Sequence, residues 1–136
     1  SWMLGHRIGG TTLGIVGMGR IGQAVARRAR AFGLSIAYHN RHRLPDSVEA
    51  ETGAVFHADL DTLLESSAII SVNCPLNAES KGMIDAAHIA LIRPTAYFIN
   101  TSRAEITDEN ALIEALVAGR IAGAGLDVYA HEPAVD

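Results

Sequence analysis

One cysteine in 136 residues leaves no partner for an internal disulfide, and nothing near Cys74 has the spacing of a metal site or of a nucleophile with its base. Cys74 is read as a packed or ligand-lining thiol. Long apolar runs are also missing. Gly, Arg or Asn interrupts each stretch well short of a membrane span, and no basic-then-apolar signal segment opens the chain, so the expectation is a cytoplasmic protein with no membrane partner. Positive charge is not in excess either. A formal net charge of −4 argues against general nucleic-acid binding, although Arg27, Arg28, Arg30, Arg41 and Arg43 gather in one region, mostly as a solvated helix face. Repeats and low-complexity linkers are absent. What remains, 49% hydrophobic and 19% charged residues, fits one soluble globular domain covering 1–136.

The most informative stretch is Leu13-Gly14-Ile15-Val16-Gly17-Met18-Gly19-Arg20-Ile21-Gly22. The G-x-G-x-x-G spacing is weak evidence alone, because 13 glycines in the chain allow it by chance in a turn. Its context is stronger. Thr12 to Val16 reads as a buried strand, and Ile21, Ala24, Val25 and Phe32 then recur at helical intervals. In such a strand–turn–helix, Gly17 allows the tight turn, Gly19 lets a pyrophosphate approach the backbone, and Gly22 lets helix and strand pack closely. The bland alternative is a plain turn in some other α/β protein.

Further along, strands are expected at Leu34 to His39, Ala54 to Phe56, Ala68 to Val72, Tyr97 to Asn100 and Ile121 to Val128. Helices are expected at Ser47 to Glu51, Asp59 to Leu64, Asp85 to Ile92 and from Thr107-Asp108-Glu109-Asn110 to Val117, closed by Gly119. Regular alternation predicts an α/β fold, a Rossmann-type doubly wound parallel sheet with helices on both faces. The chain opens on Ser1-Trp2-Met3-Leu4-Gly5 and stops just after a strand, which is read as a fragment of a larger protein. The alternative is a complete small nucleotide-binding protein.

Ligands of open α/β sheets gather at the carboxyl ends of the strands. The residue expected to grip a ribose 2′-hydroxyl, roughly 20 positions past the glycines, is normally acidic. Here it is Asn40, followed by Arg41, His42 and Arg43, which exchanges repulsion of a 2′-phosphate for planar donors and points to NADP(H). Solvated loop charges are the competing account. The fourth strand ends in Asn73-Cys74-Pro75-Leu76-Asn77-Ala78-Glu79-Ser80, where Pro75 fixes a turn on the adenosine side and Ser80 can offer a hydroxyl to phosphate. The fifth ends in Asn100-Thr101-Ser102-Arg103, whose guanidinium can hold a substrate carboxylate. The last ends in Gly125-Leu126-Asp127-Val128 with Glu132-Pro133 after it, and either acid can equally be a cap.

Taken in order, the glycine stretch, Asn100-Thr101-Ser102-Arg103, Gly125-Leu126-Asp127-Val128 and Glu132-Pro133 resemble the NAD(P)-binding domain of the D-isomer-specific 2-hydroxyacid dehydrogenases over nearly the whole chain. The loop Tyr38-His39-Asn40-Arg41-His42-Arg43 is most similar to that of glyoxylate and hydroxypyruvate reductases, many of which prefer NADPH. The resemblance implies that Arg103 binds the substrate carboxylate and keto oxygen. It also implies that Glu132 pairs with a histidine that protonates the carbonyl, and that Asp127 holds the nicotinamide carboxamide. Arg20, Ile21, Cys74 and Thr101 join the glycines as expected cofactor contacts. The family histidine lies beyond Asp136, and His131 is not promoted in its place, because neighbours in an extended segment point opposite ways. The substrate domain is likewise expected outside the chain, so the isolated 136 residues should bind cofactor without turnover. Dimerisation through this domain is common in the family, which implies a homodimer. Ala104 departs from the family's glycine after the arginine; if that position needs a positive φ, alanine adds strain.

The favoured reading is therefore an NADPH-dependent reductase of a small 2-oxo acid, with NAD as the alternative cofactor. A cofactor-sensing interaction protein of the corepressor type is the reading from another class. Phosphoglycerate, D-lactate, formate and phosphite oxidation stay open within the enzyme class.

Overall fold

The computed structural model describes residues 11–126. Six strands alternate with helices in the order β1 (Thr12–Val16), α1 (Arg20–Ala31), β2 (Ser35–His39), α2 (Asp46–Thr52), β3 (Ala54–Phe56), α3 (Leu60–Ser66), β4 (Ile69–Val72), α4 (Ala86–Ile89), β5 (Tyr97–Asn100), a 3-10 turn (Ala104–Ile106), α5 (Glu109–Val117) and β6 (Gly123–Leu126). All pairings are parallel and the sheet runs β3-β2-β1-β4-β5-β6, which bears out the doubly wound reading.

The two-residue strand period sorts side chains onto two cores. Leu13, Ile15, Ile36 and Tyr38 pack with Ala26 of α1 on one face. Val16, Ala37, Ile70, Val72 and Phe98 face the other way, against Leu60, Leu63 and Leu64 of α3, Ile89 of α4 and Leu112 and Ala115 of α5. With both faces covered, β1 and β4 can be almost wholly apolar. The helix starts follow the expected chemistry: Asp59, Asp85 and Asp108 each accept a bond from a first-turn N–H, at Asp61 (3.1 Å), His88 (3.0 Å) and Ala111 (3.1 Å).

Several boundaries differ from expectation by one to three residues, two of them near the sheet's later strands. The helix expected to reach Ile92 ends at Ile89, because the Leu91 and Ile92 N–H groups bond to His88 and Ile89, three residues back, and the chain tightens ahead of Pro94. The last strand begins at Gly123 rather than Ile121, and its expected end at Val128 lies outside the described residues. Among the described residues no helix is long and apolar enough to cross a membrane.

Strand order reverses at β1, which pairs with β2 on one side and β4 on the other. Register places Val16 level with both His39 and Val72, and Val72 level with Asn100. Four carboxyl ends therefore finish together, and the chain leaves them in diverging directions. That divergence opens the crevice in which a ligand of such a sheet sits.

Candidate functional site

The turn after β1 is held from both sides. The Gly17 N–H bonds to the His39 carbonyl (2.9 Å) and the Asn73 N–H to the Val16 carbonyl (2.8 Å), tying the turn to β2 and β4. Gly17 has φ +94°, and a Cβ built there would lie 2.5 Å from the Cys74 backbone nitrogen. Gly22 is constrained by space, since its Cβ would meet the Gly17 carbonyl oxygen at 2.4 Å, so here the helix and the turn after β1 touch through backbone. Gly19 differs: nothing lies within 4 Å of its Cβ position. As N-cap of α1 it has no side-chain cap, and the first turn carries no acid. Its free N–H groups and dipole suit an anion brought close over Gly19, which is the fit a dinucleotide pyrophosphate requires.

Two compartments flank this turn. The first, about 470 Å³, is lined by Gly17, Asn40, Arg41, Cys74, Pro75, Asn77, Glu79 and Ser80, with Val16, His39 and Met83. The second, about 460 Å³, is lined by Gly19, Arg20, Ile21, Asn73, Thr101, Ser102 and Arg103, and shares Cys74 and Pro75 with the first. Two chambers meeting at a glycine turn match the shape of a dinucleotide, with a nucleoside half on each side of its pyrophosphate. Cys74 is partly buried at the junction, and burial pushes its thiol up, so it stays protonated and serves as neutral lining rather than as a nucleophile.

Asn40 braces the turn. Its Oδ1 accepts from the Met18 N–H (3.0 Å) while its Nδ2 donates to the His42 carbonyl (3.2 Å). At the end of β5 the fully buried Asn100 shapes the loop that carries Arg103: its Nδ2 donates to the Arg103 carbonyl (3.1 Å) and its Oδ1 accepts from the Ser102 N–H (2.9 Å). Ser102 Oγ also donates to the Val72 carbonyl (3.2 Å). The Arg103 guanidinium stands 3.6 Å from the Glu105 carboxylate and lines the chamber, so a forked cation is presented at a fixed place.

Two of the expected contacts, Arg43 and Ser80, are bonded within the protein. Arg43 lies outside the lining of either chamber. Its Nε and Nη2 hold Glu49 as a fork (3.1 and 3.0 Å), and the guanidinium lies over the Phe56 ring. Ser80 lines the first chamber, but its Oγ proton goes to the Pro75 carbonyl (2.7 Å) while the oxygen accepts from the Asn77 N–H (2.9 Å). It fastens its own loop and has no second proton for a ligand. Ala104 is the first residue of the 3-10 turn Ala104–Ile106. Asp127 and Glu132 lie outside the described residues.

Arg43 belongs to a polar corner with a pH consequence. Buried Tyr38 donates to Glu49 Oε2 (2.6 Å) and accepts from the Leu44 N–H (2.9 Å). Burial first, then the Glu49 carboxylate, pushes the phenol up, while hydrogen bonds from Arg43 and then Tyr38 hold Glu49 below its ordinary 4.5. A carboxylate depressed on folding stabilises above its unfolded value, and that contribution is lost as pH falls through the folded one. The native protein should therefore lose more Tm below pH 4.5 than Glu49→Gln does; parallel melting curves against pH would refute this assignment.

Glu79 and Asn73 are among the lining residues that were not singled out from sequence. Glu79 forms an ion pair with Arg41, Nη1 to Oε1 2.7 Å. Asn73 donates to Ser71 Oγ (2.9 Å) and accepts from Thr101 Oγ1 (3.2 Å), joining the ends of β4 and β5. Proximity of Asn73 to a strand end was the available signal. Glu79 gave none, being an acid in a loop of unknown path.

Residues 1–136 match the pattern of the D-isomer specific 2-hydroxyacid dehydrogenase family, NAD binding domain. The chain belongs to this family. It is 52% identical over 130 residues to a glyoxylate reductase of Thermococcus litoralis, covering 96% of this chain and 39% of that protein. Among solved structures, a glyoxylate reductase from Paecilomyes thermophila superposes with a TM-score of 0.85 at 46% identity, covering 94% of this chain and 38% of the other. The D-mandelate dehydrogenase of Rhodotorula graminis in its holo form superposes with a TM-score of 0.89 at 33% identity, covering 94% and 37%. The chain thus spans well under half the length of its relatives, and the dehydrogenase family shares this cofactor fold across different substrates.

Proposed function

We propose that these 136 residues are the cofactor domain of a two-domain reductase that uses NADPH in preference to NADH on a small 2-oxo acid of the glyoxylate or hydroxypyruvate type. The observation that carries this reading is the end of β2: an amide and a guanidinium, Asn40 and Arg41, line the first chamber where an NAD-binding site would place a carboxylate. Similarity to several glyoxylate reductases supports the substrate class. When bound, the nicotinamide supplies hydride to the carbonyl carbon. The protein's part is to hold and orient: the α1 N-terminus takes the pyrophosphate, Arg41 the 2′-phosphate, and Arg103 the substrate carboxylate and keto oxygen. Asp127 and Glu132 carry the family roles, contact with the carboxamide and pairing with a histidine of the remaining chain. We also infer a cytoplasmic homodimer from the family's habits.

Arg41→Ala tests the cofactor assignment. A charge-assisted bond to phosphate contributes roughly 1.5–3 kcal/mol, so NADPH affinity should fall about 10- to 100-fold while NADH affinity stays nearly unchanged. Equal losses for both cofactors, measured by fluorescence titration of the full-length protein, would defeat the 2′-phosphate assignment.

A further inference from the structure

Arg41 and Glu79 form an ion pair (2.7 Å), and both residues line the first chamber beside Asn40. Each side belongs to a braced segment. Asn40 anchors the loop after β2 through its bonds with Met18 and His42. On the other side the Asn77 carboxamide accepts from the Glu79 and Ser80 N–H groups (both 2.9 Å), and Ser80 ties back to the Pro75 carbonyl. The backbone at Glu79 is therefore held beside the chamber by a braced turn. The side chains themselves are 70% and 63% exposed, so the pair is solvated, weak and easily opened.

We propose that Glu79 is a specificity-determining residue that reduces the site's preference for NADPH, a proposal that rests on Arg41 being the 2′-phosphate contact. A 2′-phosphate reaching Arg41 must share the guanidinium with the Glu79 carboxylate or displace it, and meets a like charge in either case. A 2′-hydroxyl meets no such opposition, and a carboxylate is the acceptor that ribose hydroxyls usually find in these sites. The chamber thus holds both halves of the usual choice, a cation for the phosphorylated ribose and an anion for the plain one. They come from two different strand ends, and each attenuates the other. A cofactor site built on Arg41 alone would discriminate more sharply than this one.

Glu79→Gln removes the charge while keeping the shape and an oxygen able to accept from Arg41. In the full-length protein, titrated with NADPH and with NADH at low salt, the variant should raise NADPH affinity roughly threefold to tenfold and leave NADH affinity equal or lower. The gain should shrink at high ionic strength, which a purely structural role for Glu79 would not produce. An unchanged or reduced NADPH-to-NADH affinity ratio in Glu79→Gln overturns the proposal. Arg41→Ala measured alongside separates the two ways of failing. Selective loss of NADPH there, with a flat Glu79→Gln, removes only the role of Glu79, whereas equal loss of both cofactors removes the 2′-phosphate assignment and this proposal with it.

Discussion

Gly17→Ala should abolish measurable cofactor binding and lower the stability of the full-length protein by about 2–5 kcal/mol. Two independent penalties meet at this position. The backbone sits at φ +94°, where an L side chain is strained by roughly 1–3 kcal/mol. The added methyl would also lie 2.5 Å from the Cys74 nitrogen and 2.6 Å from its Cα. Both are backbone atoms, so no change of rotamer relieves the contact. Relief would have to come from parting the ends of β1 and β4 at the switch point, where Asn73 bonds to Val16 and Gly17 to His39. Gly19→Ala is the matched control. Its methyl meets nothing within 4 Å, so the fold should be retained while the pyrophosphate loses its close approach and affinity falls. Chemical denaturation with cofactor titration on both variants separates the two roles. Native stability in Gly17→Ala would show that the turn relaxes more cheaply than its packing implies.

That contrast bears on what the sequence makes legible. Strand period, the glycine spacing and the aspartate caps are local signals, and they located the strands, the β1–α1 turn and the crevice because each follows from its own neighbours in the chain. The choice between Arg41 and Arg43 is not local. Both follow the same strand in the same polar loop, and what separates them is that Tyr38 and Glu49 form a partly buried corner that takes the Arg43 guanidinium as its counter-charge. Ser80 illustrates the same limit: a hydroxyl near a strand end looks available until the path of its loop brings the Pro75 carbonyl to 2.7 Å. Glu79 was invisible for the converse reason, since only the folded loops set it against Arg41.

The second large effect expected is at Arg103. In the full-length protein Arg103→Gln should lower kcat/KM for a 2-oxo acid by on the order of 10³-fold or more, while NADPH and NADH affinities stay within about threefold of native. The guanidinium lines the second chamber whereas Asn40 and Arg41 line the first, so the loss should fall on substrate rather than cofactor. Its position is fixed from behind: Asn100, fully buried, holds the Arg103 carbonyl and the Ser102 N–H, and Ser102 holds the Val72 carbonyl. A guanidinium fork can take a substrate carboxylate in two parallel bonds. Arg103→Lys keeps the charge but loses the fork, and should recover only a small part of the activity. If cofactor affinity instead falls in parallel with turnover in both variants, Arg103 acts by holding the β5 loop in shape, and the substrate carboxylate must be bound elsewhere.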